Sequence, residues 1–325
     1  MSANKIKAGI VGGAGYTAGE LLRLLLHHPE VIISFVHSKS QAGKAIYEIH
    51  TDLVGETELL FTDELHFEID VLFLCVGHGE AKVFWKENPV PAQVKVIDLS
   101  QDFRIRAAEH DFVYGLPELN KEEIKKASHI ANPGCFATCL QLGLLPLAKA
   151  GLLKSDVHIN AITGSTGAGQ KPGPTSHFSW RNNNISVYKA FNHQHLKEIG
   201  QSLRQLQPGM AAPLRFLPVR GNFTRGIFAS LYTQVDLSLE EAQQLYQDYY
   251  ADAPFVHLSA VNPDLKQVVN TNKGILFLEK HDEQLLIISM IDNLLKGASG
   301  QAVQNMNLMF GLDEQSGLRL KAGFF

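Results

Sequence analysis

The sequence is poor in the features that mark secreted, membrane or nucleic-acid-binding proteins. It has only three cysteines in 325 residues, Cys75, Cys135 and Cys139, and their spacing gives no paired disulfide framework. It has no run of lysine and arginine, and its net charge of -4 favours neither nucleic acid nor an anionic membrane. Its longest apolar stretches, residues 21–26 and 285–291, are too short to span a bilayer. We therefore expect a cytoplasmic protein that binds no membrane and no nucleic acid.

The order of apolar segments predicts two domains of different architecture. In the first half, short apolar strands (residues 8–11, 31–36 and 71–76) alternate with amphipathic helices such as residues 17–26. This alternation is typical of a parallel sheet in a doubly wound, Rossmann-type α/β domain. After about Leu152, strands follow one another without helices between them, which predicts an α+β domain with a mixed sheet.

The domain boundary is predicted near residue 148. Residues 1–148 together with 300–325 would form the first, parallel-sheet domain, and residues 149–299 the second, mixed-sheet domain. The chain enters its first strand at residue 5 without an apolar leader, so we expect no signal peptide.

A glycine-rich turn follows the first predicted strand and opens the first helix. Such a turn lets the backbone approach a pyrophosphate, which the helix N-terminus then stabilises. The residues expected to contact a dinucleotide there are Gly12, Gly13, Gly15, Tyr16 and Thr17. The alternative is a plain connecting turn that binds no ligand.

The end of the second predicted strand indicates which dinucleotide is bound. NAD sites usually carry an acidic residue at this place for the ribose 2′-hydroxyl. Here the strand runs into Ser38, Lys39 and Ser40, with no acid. A cation between two hydroxyls suits a 2′-phosphate, so we expect NADP(H), although such a lysine can also be simply solvated.

Cys135 follows a Pro-Gly pair and precedes an apolar segment of helical spacing, residues 136–150. A cysteine at a helix N-terminus meets unpaired N–H groups and the positive end of the dipole, both of which stabilise a thiolate. We therefore expect a nucleophile that forms a thioester with an activated acyl group. The alternative is a buried structural cysteine.

His193, His195 and Glu198 begin another predicted helix and supply the acid/base candidates. We take His193 as the first choice for proton transfer and His195 as the alternative or a substrate ligand, with Glu198 available to orient an imidazole. A zinc site on the His-x-His pair is the rival, but no third ligand has a suitable spacing, so no metal is expected.

Several segments together resemble the N-acetyl-gamma-glutamyl-phosphate reductase family of the semialdehyde dehydrogenase superfamily, and the resemblance covers essentially the whole chain. The segments are residues 12–20, 97–104, 114–119, 132–138, 193–199, 224–226 and 292–302. The resemblance implies NADPH-dependent reduction of an N-acyl-L-glutamyl 5-phosphate to the 5-semialdehyde and phosphate, in L-arginine biosynthesis. Cys135 would carry the thioester, and the protein would be a homodimer or homotetramer.

The same resemblance implies roles for three further residues. Arg104 and Arg225 would bind the carboxylate or phosphate of the small-molecule acyl phosphate substrate, since arginine binds oxyanions bidentately. A structural ion pair is the alternative for each. Asn293 would hold the nicotinamide carboxamide.

Two loops depart from the family pattern. Thr166 and Gln170 replace the usual serine and arginine of a Gly-rich loop, and residues 218–223 lack the usual histidine and proline. These departures leave the identity of the N-acyl group open, and Arg220 could meet the extra carboxylate of a succinyl group. An aspartate-semialdehyde dehydrogenase-like enzyme and a non-catalytic nucleotide-binding regulator are the alternatives; the regulator would not need Cys135.

Overall fold

The structure, a computed structural model, describes residues 5–323 and divides into two compact units. The first comprises the chain up to Pro133 together with Ala298–Arg319, and the second comprises Gly134–Gly297 and the chain from Leu320 onward. The terminal residues of the predicted first domain, 1–4 and 324–325, lie outside the described residues.

The first unit holds a sheet of seven strands within the described residues, all paired in parallel. In chain order they are β1 (Ile6–Val11), β2 (Val31–His37), β3 (Phe61–Thr62), β4 (Val71–Leu74), β5 (Lys95–Asp98), β6 (Val113–Tyr114) and β7 (His129–Ala131). Across the sheet the order is β3-β2-β1-β4-β5-β7-β6. All four residues of β4 and the last four of β1 are buried, as a central parallel strand requires. The predicted doubly wound α/β class is confirmed.

The helices of the first unit are α1 (Tyr16–Leu26), α2 (Ile46–Ile49), α3 (Glu80–Glu87), α4 (Pro117–Lys126) and, near the end of the chain, α9 (Gly300–Met309). A π-helical turn, Leu295–Ser299, leads directly into α9. No helix in residues 5–323 is both long and apolar enough to cross a membrane.

The second unit holds the predicted mixed sheet, again of seven strands in its described part. In chain order they are β8 (Val157–Thr163), β9 (Ser186–Val187), β10 (Leu214–Arg220), β11 (Ile227–Gln234), β12 (Val256–Leu258), β13 (Gly274–His281) and β14 (Gln284–Ile291). Across the sheet the order is β12-β13-β14-β11-β8-β10-β9. The pairs β8–β10 and β12–β13 are parallel and the other pairs are antiparallel.

The helices of the second unit include the one on which the predicted nucleophile lies. They are α5 (Cys135–Lys149), α6 (Phe178–Arg181), α7 (His195–Leu206) and α8 (Leu239–Tyr249). Every residue of α5 from Phe136 to Ala148 is buried, and the helix packs on α7, β11 and β14. The predicted boundary at residue 148 therefore differs from the boundary between the units by this helix, because a helix that is apolar on all sides needs the second sheet to cover it.

Candidate active site

The glycine turn of the first unit joins β1 to α1 and is shaped by close backbone contacts. Gly12 has φ +83°, and a Cβ on it would lie 2.6 Å from the carbonyl oxygen of Cys75. Only glycine fits there, on both conformation and space. The N–H groups of Gly12 and Gly13 donate to the carbonyl oxygen of His37 at 3.1 and 2.9 Å, which fixes the turn at the end of β2.

The N-terminus of α1 has the properties expected of an anion-binding site. Gly15 precedes the helix in extended conformation, no side chain caps the N-terminus, and the first turn contains no acidic residue. Thr17, in that turn, hydrogen-bonds the Cys75 thiol, whose pKa burial raises to about 12. Cys75 is therefore an unreactive packing group. The N-terminus of α1, with the glycine turn before it, fits the pyrophosphate of a dinucleotide.

The residues after β2 are arranged as a loop beside this turn. The N–H of Ser38 donates to the carbonyl oxygen of Thr62 at 2.8 Å, and Ser38 is buried. Lys39 and Ser40 are exposed. The charge of Lys39 is therefore accessible to a ligand phosphate.

Arg104 is buried in the first unit and binds main-chain carbonyls. Its Nε donates to the carbonyl oxygen of Asn132 at 2.9 Å and its Nη2 to that of Leu99 at 3.0 Å. The nearby Asp98 carboxyl accepts bonds from the N–H and hydroxyl of Ser100, yet burial raises its pKa to about 6. Arg104 thus stabilises the chain leading to Pro133, and its role toward substrate stays a prediction.

In the second unit, Cys135 is the first residue of α5 and is half-buried. The N–H of Gly134 donates to Oε2 of Glu198 at 3.1 Å, so a carboxylate of α7 holds the turn before the cysteine. On another side lies Gly297, where an added Cβ would come within 2.8 Å of Cβ of Cys135. The cysteine is thus fixed by contacts with two segments that are distant in sequence.

His193 lies in an aromatic pocket next to this helix. Its ring packs edge-on against Phe136, Phe216 and Tyr188, with ring centroids 5.4, 5.5 and 5.8 Å apart. Its Nδ1 accepts the backbone N–H of His195 at 3.3 Å. Burial lowers the pKa of His193 to about 4, with smaller contributions from nearby cations, so the imidazole is neutral at neutral pH.

His195 is the first residue of α7 and faces the carboxylate that holds the cysteine turn. Its Nε2 lies 3.8 Å from Oε1 of Glu198, and both side chains are buried. The two oxygens of Glu198 therefore contact the histidine on one side and the backbone before Cys135 on the other. The structure places Cys135, His193, His195 and Glu198 in one cluster, and their catalytic roles stay predictions.

Arg225 and Asn293 belong to a second cluster, around Asp292. Nε and Nη2 of Arg225 donate to the two oxygens of Asp292 at 3.0 and 3.2 Å. Oδ1 of Asn293 accepts the N–H of Gly226 at 2.6 Å, and its Nδ2 donates to the hydroxyl of Thr166 at 3.0 Å. Their predicted contacts with substrate and nicotinamide stay predictions, since the structure shows partners within the unit.

Sequence reasoning did not identify Asp292, although it stands in the segment 292–302 that carries the resemblance. Its fully buried carboxylate also accepts the N–H groups of Asn270 and Leu294 at 2.7 and 2.8 Å, and its carbonyl oxygen accepts that of Gly297 at 2.9 Å. Asp292 therefore fixes the turn that places Gly297 against Cys135. The signal that could have found it is an acid that directly ends an apolar strand.

Two family models match the chain, one on each unit. Residues 7–127 match the NAD binding domain of semialdehyde dehydrogenases, and residues 135–293 match their dimerisation domain. The first match confirms the predicted nicotinamide-dinucleotide domain. Fold and site together define an oxidoreductase of the semialdehyde dehydrogenase class.

Comparison with full-length relatives shows which family within this class the chain belongs to. The chain is 63% identical to the N-acetyl-gamma-glutamyl-phosphate reductase of Phocaeicola vulgatus, over 98% of this chain and 100% of the relative. It is 60% identical to that of Christiangramia forsetii, with the same coverage of both chains. The chain belongs to the N-acetyl-gamma-glutamyl-phosphate reductase family, as the motifs indicate.

Solved structures of more distant relatives share the fold. Aspartate semialdehyde dehydrogenase II from Vibrio cholerae, complexed with ASA, superposes with a TM-score of 0.75 at 18% identity, over 95% of this chain and 99% of that one. Aspartate semialdehyde dehydrogenase with NADP from Candida albicans gives 0.72 at 16% identity, over 94% and 98%.

Proposed function

We propose that the protein catalyses the NADPH-dependent reduction of an N-acyl-L-glutamyl 5-phosphate to N-acyl-L-glutamate 5-semialdehyde and phosphate, a step of L-arginine biosynthesis. The names of its full-length relatives support this reaction. The observation that carries it is the position of Cys135 at the start of α5, between Gly297 and the carboxylate of Glu198. This is an arrangement suited to a positioned thiolate.

Cys135 is the nucleophile of this proposal. Its thiolate attacks the acyl carbon, the bond from that carbon to the phosphate oxygen breaks, and phosphate leaves with the electron pair. The product is a thioester on Cys135. NADPH, when bound, supplies the hydride that reduces this thioester. Breakage of the carbon–sulfur bond then releases the aldehyde and returns the cysteine as a thiolate.

We assign the acid/base role of the reaction to His195. From sequence alone, His193 is the first choice. His193 is neutral at neutral pH, and its Nδ1 already accepts a backbone N–H, which leaves a proton on Nε2. It can donate a hydrogen bond to a developing oxyanion but is a poor base. Nε2 of His195 lies 3.8 Å from the buried carboxylate of Glu198, which can orient the imidazole for proton transfer.

The glycine turn and the loop after β2 would hold NADPH. Gly12 and Gly13 allow the tight turn, and Gly15 leaves open space before the N-terminus of α1, where the pyrophosphate would bind. Lys39, with its accessible ammonium between Ser38 and Ser40, would bind the 2′-phosphate.

We infer a homo-oligomer, either a dimer or a tetramer, formed through the second unit. The matched dimerisation domain supports this inference. One face of the sheet carries the buried pair Ile288 and Met290, flanked by the half-buried Phe228, Ile275 and Phe277 on the neighbouring strands. An apolar sheet face of this kind suits a second copy of the chain. Analytical ultracentrifugation measures the state directly, and a monomer at micromolar concentration would contradict the inference.

The decisive experiment follows NADPH oxidation with N-acetyl-L-glutamyl phosphate, N-succinyl-L-glutamyl phosphate and β-aspartyl phosphate. We expect turnover with at least one N-acyl-glutamyl phosphate and none with the aspartyl compound. Preference for aspartyl phosphate would instead indicate an aspartate-semialdehyde dehydrogenase. Binding of NADPH without turnover of any of the three would indicate a nucleotide-binding regulator.

A further inference from the structure

Three cations of the second unit are held by neutral groups, and two of them, Lys189 and Arg220, lie near His193. Arg181 is buried and donates to main-chain oxygens, including that of Arg220 at 2.8 Å. Nζ of Lys189 donates to the side-chain oxygen of Gln194 at 2.9 Å. The guanidinium of Arg220 stacks on the ring of Tyr188, 4.8 Å from its centroid. Within residues 5–323, none of the three cations has a carboxylate at ion-pair distance.

Arg220 is the cation of this group with an unused donor. Its Nη1 is buried and has no hydrogen-bond partner among the described residues. A buried donor without an acceptor costs about 1–3 kcal/mol, and more when it carries charge. By contrast, Arg215, on the same strand, is exposed and paired with Asp156 at 2.8 Å. An unsatisfied cationic donor is retained where a ligand supplies the acceptor.

A continuous chain of contacts links Arg220 to the nucleophile's helix. Arg220 stacks on Tyr188, the ring of Tyr188 contacts His193, and His193 packs on Phe136, the residue after Cys135. The guanidinium also hydrogen-bonds Tyr188, and Tyr188 lies close enough to Cys135 to interact with it electrostatically. An anionic group of a substrate attached to the cysteine could therefore contact the unpartnered Nη1 of Arg220.

The backbone of the segment that carries Arg181 and Lys189 is strained. Asn183, Lys189 and Phe191 have φ values of +53°, +46° and +58°, a region that non-glycine residues rarely adopt. Such conformations persist where the surrounding structure enforces them, and they concentrate at ligand sites.

We propose that Arg220 is a specificity-determining residue that binds an oxyanion of the substrate, a carboxylate or a phosphate oxygen, through its unpartnered Nη1. The proposal rests on the proposed function, because an acyl-glutamyl phosphate carries both groups and an N-succinyl substrate carries a second carboxylate. Its stacking on Tyr188 holds the planar donor fork in one orientation, which a lysine would not reproduce.

The test compares Arg220→Gln with Arg215→Gln, a matched arginine on the same strand. Isothermal titration calorimetry uses inorganic phosphate, N-acetyl-L-glutamate and N-succinyl-L-glutamate as probes, and steady-state kinetics separates KM from kcat. We expect Arg220→Gln to weaken the binding of at least one of these anions by about tenfold or more. KM should rise by about tenfold or more, with a smaller change in kcat. Arg215→Gln should behave as the unmodified protein.

The pattern across the probes identifies the group that Arg220 binds. Weakened phosphate binding assigns the phosphate, equal weakening of both N-acyl-glutamates assigns the α-carboxylate, and weakening of N-succinyl-glutamate alone assigns the acyl carboxylate. Unchanged binding and KM in a folded Arg220→Gln protein would overturn the proposal. If that variant fails to fold, Arg220→Lys keeps the charge, and unchanged constants there would overturn it equally. Anion binding needs no turnover, so failure of the proposed reaction would be recognised separately.

Discussion

Two helix N-termini of this protein have nearly the same backbone but different surroundings. Gly15 precedes α1 with φ -84° and ψ 166°, and Gly134 precedes α5 with φ -72° and ψ 151°. Neither N-terminus is capped by a side chain, and neither first turn has an acid. The N–H of Gly15 donates to the carbonyl oxygen of Gly12, within its own turn, at 3.5 Å. The N–H of Gly134 instead donates to the buried carboxylate of Glu198. The residue before α1 is therefore held by its own turn, whereas the residue before α5 is held by a carboxylate from another helix.

On the proposed function, the same local geometry would serve binding at one helix and catalysis at the other. At α1, uncapped N–H groups beside the glycine turn would attract the phosphates of NADPH. At α5, the carboxylate of Glu198 accepts the backbone N–H before Cys135 and lies 3.8 Å from Nε2 of His195. The cysteine is therefore positioned by groups of another helix.

The largest predicted effect on activity comes from replacing Cys135, the proposed nucleophile at the N-terminus of α5. Cys135→Ser removes the thiolate, so we expect kcat to fall by about 10³-fold or more while the Kd for NADPH is unchanged. Cys139→Ser is the control, because Cys139 is buried one turn further along α5 and burial raises its pKa to about 12. Stopped-flow fluorescence and the NADPH oxidation assay measure both quantities. Retained turnover in Cys135→Ser would exclude the thioester route.

The second test removes the charge at α5 and keeps the hydrogen bond. In Glu198→Gln the amide oxygen can still accept the N–H of Gly134, but the ion pair with His195 is lost. We expect kcat to fall by about 10²-fold, the lower end of a general acid–base contribution, with a small change in melting temperature. His195→Asn should cause a similar loss, and His193→Asn a smaller one. Equal losses in both histidine variants would contradict the assignment to His195.

The two helix N-termini also differ in how far the sequence predicts them. The turn before α1 consists of consecutive residues, 12–17, so its conformation could be predicted from the sequence, as could the strand pattern and the presence of two sheets. The environment of Cys135 depends on Gly297, Glu198 and Asp292, which only the folded chain brings together. Spacing indicated that a histidine would act, but the choice between the two required burial and hydrogen-bond partners.

The third test changes the glycine turn before α1, where NADPH is proposed to bind. Gly12→Ala introduces a Cβ 2.6 Å from the carbonyl oxygen of Cys75, so the turn must move. Gly43→Ala is its control, since both glycines have φ +83° and a Cβ at Gly43 meets nothing within 4 Å. We expect Gly12→Ala to raise the Kd for NADPH by about tenfold or more, and Gly43→Ala to leave it unchanged. Iodoacetamide should alkylate Cys135 at the wild-type rate in both variants; a slower rate in Gly12→Ala alone would show that the two helix ends are not independent.

The smallest effect concerns the neutral histidine at the cysteine end. The pKa of His193 is about 4 in the folded chain, because of burial and the cations Lys189 and Arg220, and its ordinary value in an unfolded chain is 6.5. The unfolded chain therefore binds more protons between these values, and the contribution of His193 to stability is lost as the pH falls from 6.5 towards 4. When the pH is lowered from about 7 to about 5, we expect the melting temperature of His193→Asn to fall less than that of the wild type. His27→Asn, at an exposed histidine, should follow the wild-type slope. Parallel slopes for all three proteins would mean that the pKa of His193 does not change on folding, and His193 would then again be a candidate for proton transfer.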